Sequence, residues 1–395
     1  MPSPRRTLTT LFLIVFTDLV GFGIVIPLLP LYAEHFHPAP WVFGLLMAAY
    51  SAMQFVFSPI LGRLSDRVGR RPVLLISLAG SVTGFVLFAL AHSLAWLFAS
   101  RLLAGICGGN IATAQAVIAD TTPPEKRAHG MGMIGAAFGL GFIAGPALAG
   151  VLAPISMAAP GWGAAVFSLV AWTMTLLYLP ETRPTGAAGG TAAPASGFAR
   201  VAFAFSHAEL APLLAIGFLV VTGFAAFEVT FAQFLHERLQ LPHSGVGFLF
   251  VYVGVLAVAV QGGLVGRATR RFGERSLLFA GLVGTAAGLL LLATAHRLAG
   301  VLTILPLIAL GTGFVTPSLS SLVSRSARAD EQGAALGAFQ GIGSLARVIG
   351  PFTAELAVGA WGVAAPPLGA AVLTVAAAVG AGMVLRRGRG AAQGG

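Results

Sequence analysis

The sequence predicts an all-α integral membrane protein, with twelve transmembrane helices arranged as two pseudo-symmetric six-helix bundles. Three observations lead there. Of 395 residues, 57% are hydrophobic and only 9% charged, too little polar surface to coat a water-soluble globule. The apolar residues gather into twelve runs near the length of about 20 residues that a helix needs to cross hydrocarbon. They are 9–32, 41–62, 73–92, 95–118, 128–152, 162–180, 210–236, 244–266, 276–295, 299–322, 333–356 and 363–385. The two halves also repeat. A shift of 204 places Gly62-Arg63 on Gly266-Arg267, Arg67 on Arg271, Gly69 on Gly273 and Arg71 on Arg275. A shift of 205 places Gly145-Pro146 on Gly350-Pro351 and Glu125 on Asp330. Between the halves, Pro180-Glu181-Thr182-Arg183-Pro184 opens a stretch of Gly, Ala, Pro and Ser, the composition of a flexible linker. The expected division is an N-terminal bundle over 1–180, a cytoplasmic linker over 181–207 and a C-terminal bundle over 208–395.

Charge placement sets the orientation. The net charge is +10, and with the N-terminus inside, 19 of the 23 Lys and Arg residues fall on the cytoplasmic side. The outer side keeps Arg238 and Arg297, and the spans hold Arg101 and Arg347. This is the positive-inside bias, which puts both termini in the cytoplasm of a cell membrane. The basic balance therefore faces anionic lipid, and no nucleic-acid partner is implied. The first span follows Arg5-Arg6 but is too long for a signal peptide and is not followed by a small-x-small cleavage site. The lone Cys107 excludes an internal disulfide and a cysteine metal cluster. No HExxH, Walker loop or G-x-S-x-G occurs, so neither an enzyme, a resident metal nor a cofactor is expected.

The first span carries Asp18 near mid-membrane, within Phe16-Thr17-Asp18-Leu19-Val20-Gly21-Phe22-Gly23. A lone charge there costs at least about 2.5–3.5 kcal/mol, so it belongs against a wet cavity, where it is a candidate for taking up and releasing protons. The alternative is a protonated side chain bonded to a neighbouring helix. The stretch through Pro30 is similar to the first span of tetracycline-efflux-type drug:proton antiporters, where an aspartate at this place is implicated in function.

Between the second and third runs lies Gly62-Arg63-Leu64-Ser65-Asp66-Arg67-Val68-Gly69-Arg70-Arg71-Pro72, too charged for hydrocarbon and read as a tight cytoplasmic hairpin. It resembles the G-x-L-S-D-R-x-G-R-R-P signature of major facilitator transporters. Through Gly62, Asp66, Arg67, Gly69, Arg70 and Arg71, the resemblance implies a lock. Asp66, Arg70 and a fourth-span partner, Asp120, would close the cytoplasmic side in one state of the cycle. The internal repeat maps Asp66, Arg70 and Asp120 onto Arg270, Glu274 and Arg325, with every sign inverted. The first trio is read as a switch and the second as a brace; the bland alternative is that both only hold topology.

In the fourth span, Arg101 followed by Gly105, Gly108 and Gly109 also resembles the family's pattern. Arg101 keeps its proton, so its expected role is electrostatic, or else it snorkels outward. Gln54, Asn110 and Gln115 extend a polar path. Gly132, Gly141, Gly145, Pro146 and Gly150 match the fifth-span antiporter signature G-x8-G-x3-G-P-x2-G-G, with Ala149 as the one departure. Within the resembled family this signature goes with efflux by exchange; the alternative is ordinary small-residue packing. In the second half, Glu228 is a second proton or cation candidate and Arg347 a partner for it or for Asp18. Gln233, Gln261 and Gln340 are polar cavity candidates, and Glu355 lies too near the outer end to include. Where tetracycline exporters carry a third-span acid, this chain has Gly84, so tetracycline itself is doubtful. The expected protein is a monomeric, proton-coupled exporter of amphipathic small molecules, surrounded by lipid. A metabolite or lipid transporter is the rival.

Overall fold

The structure is a computed structural model that describes residues 4–25, 28–108, 110–122, 133, 137, 140–141, 144–182, 210–327 and 332–391. Among these, every regular element is helical. The first apolar run is two helices, α1 (Pro4–Val25) and α2 (Leu29–Glu34), where one was expected. Pro30 lies in the first turn of α2, where its missing N–H forfeits no helical bond.

Helix α3 (Pro40–Val68) runs straight through the charged motif, and α4 (Arg70–Ala89) begins two residues later. The expected hairpin loop is thus the single residue Gly69, at φ 117°, a conformation that only glycine adopts cheaply. The fourth run is also broken: α5 (Leu94–Cys107) and α6 (Asn110–Thr121) part at Gly108. Of the fifth run, residues 144–152 are helical up to a closing turn, and α7 (Ala159–Tyr178) follows. Gly132 and residues 183–207 of the expected linker lie outside the described residues.

The second half contains α8 (Leu210–Leu239), α9 (His243–Ala259), a π-helical turn (Val260–Leu264), α10 (Val265–Phe272), α11 (Glu274–Ala293), α12 (Leu298–Arg325), α13 (Gln332–Trp361) and α14 (Ala365–Ala391). The π turn interrupts the eighth run at Gln261-Gly262-Gly263, where two glycines make the helical ladder easy to widen. Among the described residues, eight helices are long and apolar enough to cross a membrane. The protein is a multi-pass membrane protein.

The described residues form two compact units. One is drawn from 1–39, 49–193 and 242–254, the other from 40–48, 194–241 and 255–395. In the first, α1 and α4 both pack on α7, and α4 also packs on α5. Leu11, Ile14, Leu74, Leu78 and Ile118 fill its core. In the second, α8 and α11 both pack on α14, with α12 on α11 and α13 on α8. Leu214, Leu278, Leu282, Leu319 and Ile342 lie at its centre. The same packing plan thus recurs in each unit. Large apolar side chains such as Ile76, Leu177, Phe248 and Val372 stay exposed, as suits surfaces bathed in hydrocarbon.

Candidate functional site

Asp18 sits on α1 and is 8% exposed. Its Oδ2 accepts from the Asn110 side-chain amide at the start of α6, and its Oδ1 accepts from Ser168 Oγ on α7 at 3.0 Å. Both donors are themselves buried. A small cavity beside Asp18, lined by Ile14, Val15, Leu19, Leu74, Leu78 and Asn110, has room for about one water. The break at Gly108 is what begins a new helix at Asn110, so the interruption of the fourth run positions this donor. Gln54 secures that break by donating to the Gly108 carbonyl at 3.0 Å, and it also donates to Tyr50 Oη at 3.2 Å.

The fifth-span glycines pack directly on this part of α1. A Cβ on Gly141 would lie 2.6 Å from Leu19 Cβ, and one on Gly145 would lie 2.5 Å from Gly23 Cα. Gly23 in turn faces Gly141, Gly145 and Pro146. Gly150 meets the backbone of Gly247 on α9 just as closely. Two glycines facing each other let helix backbones touch.

At the arginine-rich end, Arg70 gathers the other predicted residues. Its Nη1 reaches Asp66 Oδ1 at 2.5 Å and Ser65 Oγ at 2.7 Å, and its Nε reaches Asp120 Oδ2 at 2.8 Å. The flat, forked guanidinium suits three such acceptors. Gly62 and Arg67 lie on the last turns of α3, and Arg71 Nη2 donates to the Leu176 carbonyl at 2.6 Å.

In the second unit, Glu228 on α8 and Arg347 on α13 are both half-buried, and the Arg347 charge acts on Glu228. Gln233 is buried one turn beyond, while Gln261 and Gln340 are exposed and Gln115 is half-buried. Glu274 at the start of α11 accepts from Ser321 at 2.6 Å and pairs with Arg325 at 3.4 Å. Among the described residues, Arg270 makes no ion pair with Glu274, unlike Asp66 with Arg70.

The sequence model described as Major Facilitator Superfamily matches residues 11–351 and 213–393. The chain belongs to this superfamily. It is 34% identical over 366 residues to the class G tetracycline resistance protein of Vibrio anguillarum, covering 90% of this chain and 92% of that one. It is 30% identical to multidrug resistance protein 1 of Bacillus subtilis (strain 168), covering 89% of each. The crystal structure of the human organic anion transporter MFSD10 aligns with a TM-score of 0.74 at 28% identity, over 96% of this chain and all of that one. The protein is therefore a major facilitator transporter and not an enzyme.

In this transporter, two side chains beside the candidate residues leave no pattern in the sequence. Ser168 is one. Glu181 is another: its Oε1 accepts the backbone N–H of Arg70 at 2.9 Å and its Oε2 that of Arg71 at 3.2 Å. A carboxylate more than a hundred residues away thus caps α4, whose own N-cap, Gly69, has no side chain to do so. Glu355, near the membrane edge by its place in the eleventh run, is only 2% exposed, because α13 continues to Trp361 and Gly44 of α3 packs beside it. Gly84 faces Ala104 and the Ser100 carbonyl, with a Cβ there meeting them at 3.1 and 3.2 Å. A side chain at that position of α4 would require these neighbours to give by a few tenths of an ångström.

Proposed function

We propose that this major facilitator transporter is a proton-driven exporter of amphipathic small molecules, drugs among them, working by alternating access as a monomer in the cell membrane with both termini in the cytoplasm. The observation that carries the reading is Asp18, buried and held by Asn110 and Ser168 on the helix against which the fifth-span glycines pack. A serine hydroxyl either donates or accepts, so Ser168 can serve Asp18 with or without its proton by rotating its O–H. Loading and unloading that proton changes what α1 offers to α6 and α7, which is how protonation would bias a two-state transporter. Glu228, facing the Arg347 charge, would be the second ionisable group of the cycle. Asp66, Arg70 and Asp120 would gate the cytoplasmic side of a chain divided into bundles over 1–180 and 208–395. The names of the bacterial relatives, which denote resistance to tetracycline and to multiple drugs, support export. Gly84, on α4 at the place where tetracycline exporters carry a third-span acid, argues against tetracycline itself as the substrate.

The test is substrate movement in inside-out vesicles driven by an imposed proton gradient. Transport is expected to collapse with an uncoupler. Asp18→Asn is expected to lose gradient-driven accumulation while still exchanging substrate down its own gradient. Accumulation that persists in uncoupled vesicles with no other gradient refutes the reading.

A further inference from the structure

Arg101 is a buried charge for which the described residues of the first unit supply no counter-charge. It lies seven residues past the start of α5, about 10 Å along the helix, and is 2% exposed. It does not snorkel to an interface. Its guanidinium lies over the rings of Phe85 and Phe88, 5.9 and 5.4 Å from their centroids. Its Nε has a long bond of 3.4 Å to Ser100 Oγ, and its Nη2 is buried with no partner among the described residues. No carboxylate among these residues forms an ion pair with it. Asp18 is committed to Asn110 and Ser168, and Gly84, just before Phe85, offers nothing.

Aromatic faces stabilise the flat sides of a guanidinium but leave its edge donors unanswered. A buried cation lacking a counter-charge is strongly disfavoured, so in a working protein something must bring negative charge to it. The surroundings say what kind. Tyr50 is within electrostatic reach of Arg101, and its ring packs on that of Phe22 at 4.6 Å between centroids. Both are half-buried, whereas Phe85 and Phe88 are buried.

We propose that the missing charge is the substrate's own: Arg101 anchors a carboxylate or sulfonate through Nη2, and the aromatic body of the same molecule packs against Phe22 and Tyr50. The inference rests on the export reading for its setting and adds the substrate class, an aromatic organic anion. Its test needs no gradient, so failure of proton coupling and failure of the anion site are read separately. Carboxyfluorescein and rhodamine 123 share a xanthene body and differ in charge. Binding of each to the purified full-length protein is measured by fluorescence anisotropy. The wild type is expected to prefer carboxyfluorescein by about tenfold or more, and Arg101→Gln to lose at least about tenfold for that dye while rhodamine 123 is little changed. Arg101→Lys should keep part of the preference. Competition in the wild type gives a check that needs no variant: benzoate should displace carboxyfluorescein at about tenfold lower concentration than benzamide. Equal binding of both dyes, benzamide competing as well as benzoate, or undiminished carboxyfluorescein binding by Arg101→Gln each overturns the proposal. Loss of both dyes together in a folded Arg101→Gln protein overturns it too, because it marks Arg101 as an internal brace.

Discussion

Replacing Gly145 by alanine should damage this protein even though alanine is the better helix former. In a helix with space around it, Gly→Ala gains about 0.5–1 kcal/mol from reduced backbone entropy. At Gly145 the new methyl would sit 2.5 Å from Gly23 Cα, 2.6 Å from Gly23 C and 2.9 Å from Ile24 N. All three are backbone atoms, so no side chain can rotate away. Carbon atoms need roughly 3.5–4.0 Å, so α1 and the fifth-span segment must separate by about 1 Å. Overpacking of this kind costs about 1–3 kcal/mol, which leaves a net loss centred on about 1 kcal/mol and reaching about 2.5 kcal/mol. The strain falls five residues from Asp18, on the same helix, so the hydrogen bonds to Asn110 and Ser168 should loosen and transport should fall further than stability. Gly62 supplies the control, since among the described residues nothing lies within 4 Å of a Cβ built there. Gly62→Ala should therefore match or slightly exceed the parent in thermal stability. The assay is thermal unfolding in detergent, followed by size exclusion, with substrate accumulation in cells measured alongside. A Gly145→Ala protein as stable and active as the parent would falsify the packing argument, as would Gly62→Ala being the worse of the two.

The lock around Arg70 predicts unequal partners. Asp120, whose side chain is 16% exposed, should matter more than Asp66 at 60%, because an exposed pair contributes only about 0.2–1 kcal/mol. Melting of Asp120→Asn against Asp66→Asn measures this, and equal losses would contradict it. Glu181→Ala should cost about 0.5–2 kcal/mol through the lost helix cap, while Glu181→Gln, which keeps an acceptor, should cost less. Hydrogen exchange at the first amides of α4 reads it, and unchanged protection in the alanine variant rules the cap out. For Asp18, the vesicle assay with Asp18→Asn should separate driven accumulation from passive exchange, and joint survival of both would remove Asp18 from coupling.

What the sequence made legible was whatever leaves a local pattern. Asp18, Arg101, Glu228 and Arg347 stand out because each is a charge inside an apolar run, and the glycines of the fifth span stand out by spacing. The structure adds that Gly141 and Gly145 touch the very turns of α1 that follow Asp18. The partners of these residues were harder to see. Ser168 bonds Asp18 from 150 positions away, and a hydroxyl costs little in a membrane helix, so nothing in the sequence draws the eye to it. Glu181 was visible only as part of a Pro-Glu-Thr run, although a helix beginning with two arginines after a glycine already lacks a cap. The helix interruptions at Gly108 and at Val260–Leu264 escaped because hydropathy averages over them.

The inverted charges of the two halves follow from what each helix start requires. A helix N-terminus has partial positive charge and favours acids. In the first unit α4 opens with Arg70-Arg71, the wrong sign, and three carboxylates answer it: Asp66, Asp120 and Glu181. In the second unit α11 opens with Glu274, already the right sign, and it takes one long ion pair to Arg325 and a serine hydroxyl. Nothing there calls Arg270 into a pair. An assembly that holds a badly placed arginine with several acids has much to lose when any one of them moves. One that starts from a well-placed glutamate has little. That difference is the physical ground for expecting transport to respond sharply to neutralising Asp120 and weakly to Arg325→Gln. The same comparison at matched expression decides it, and equal sensitivity of the two variants would remove the distinction between a switch and a brace.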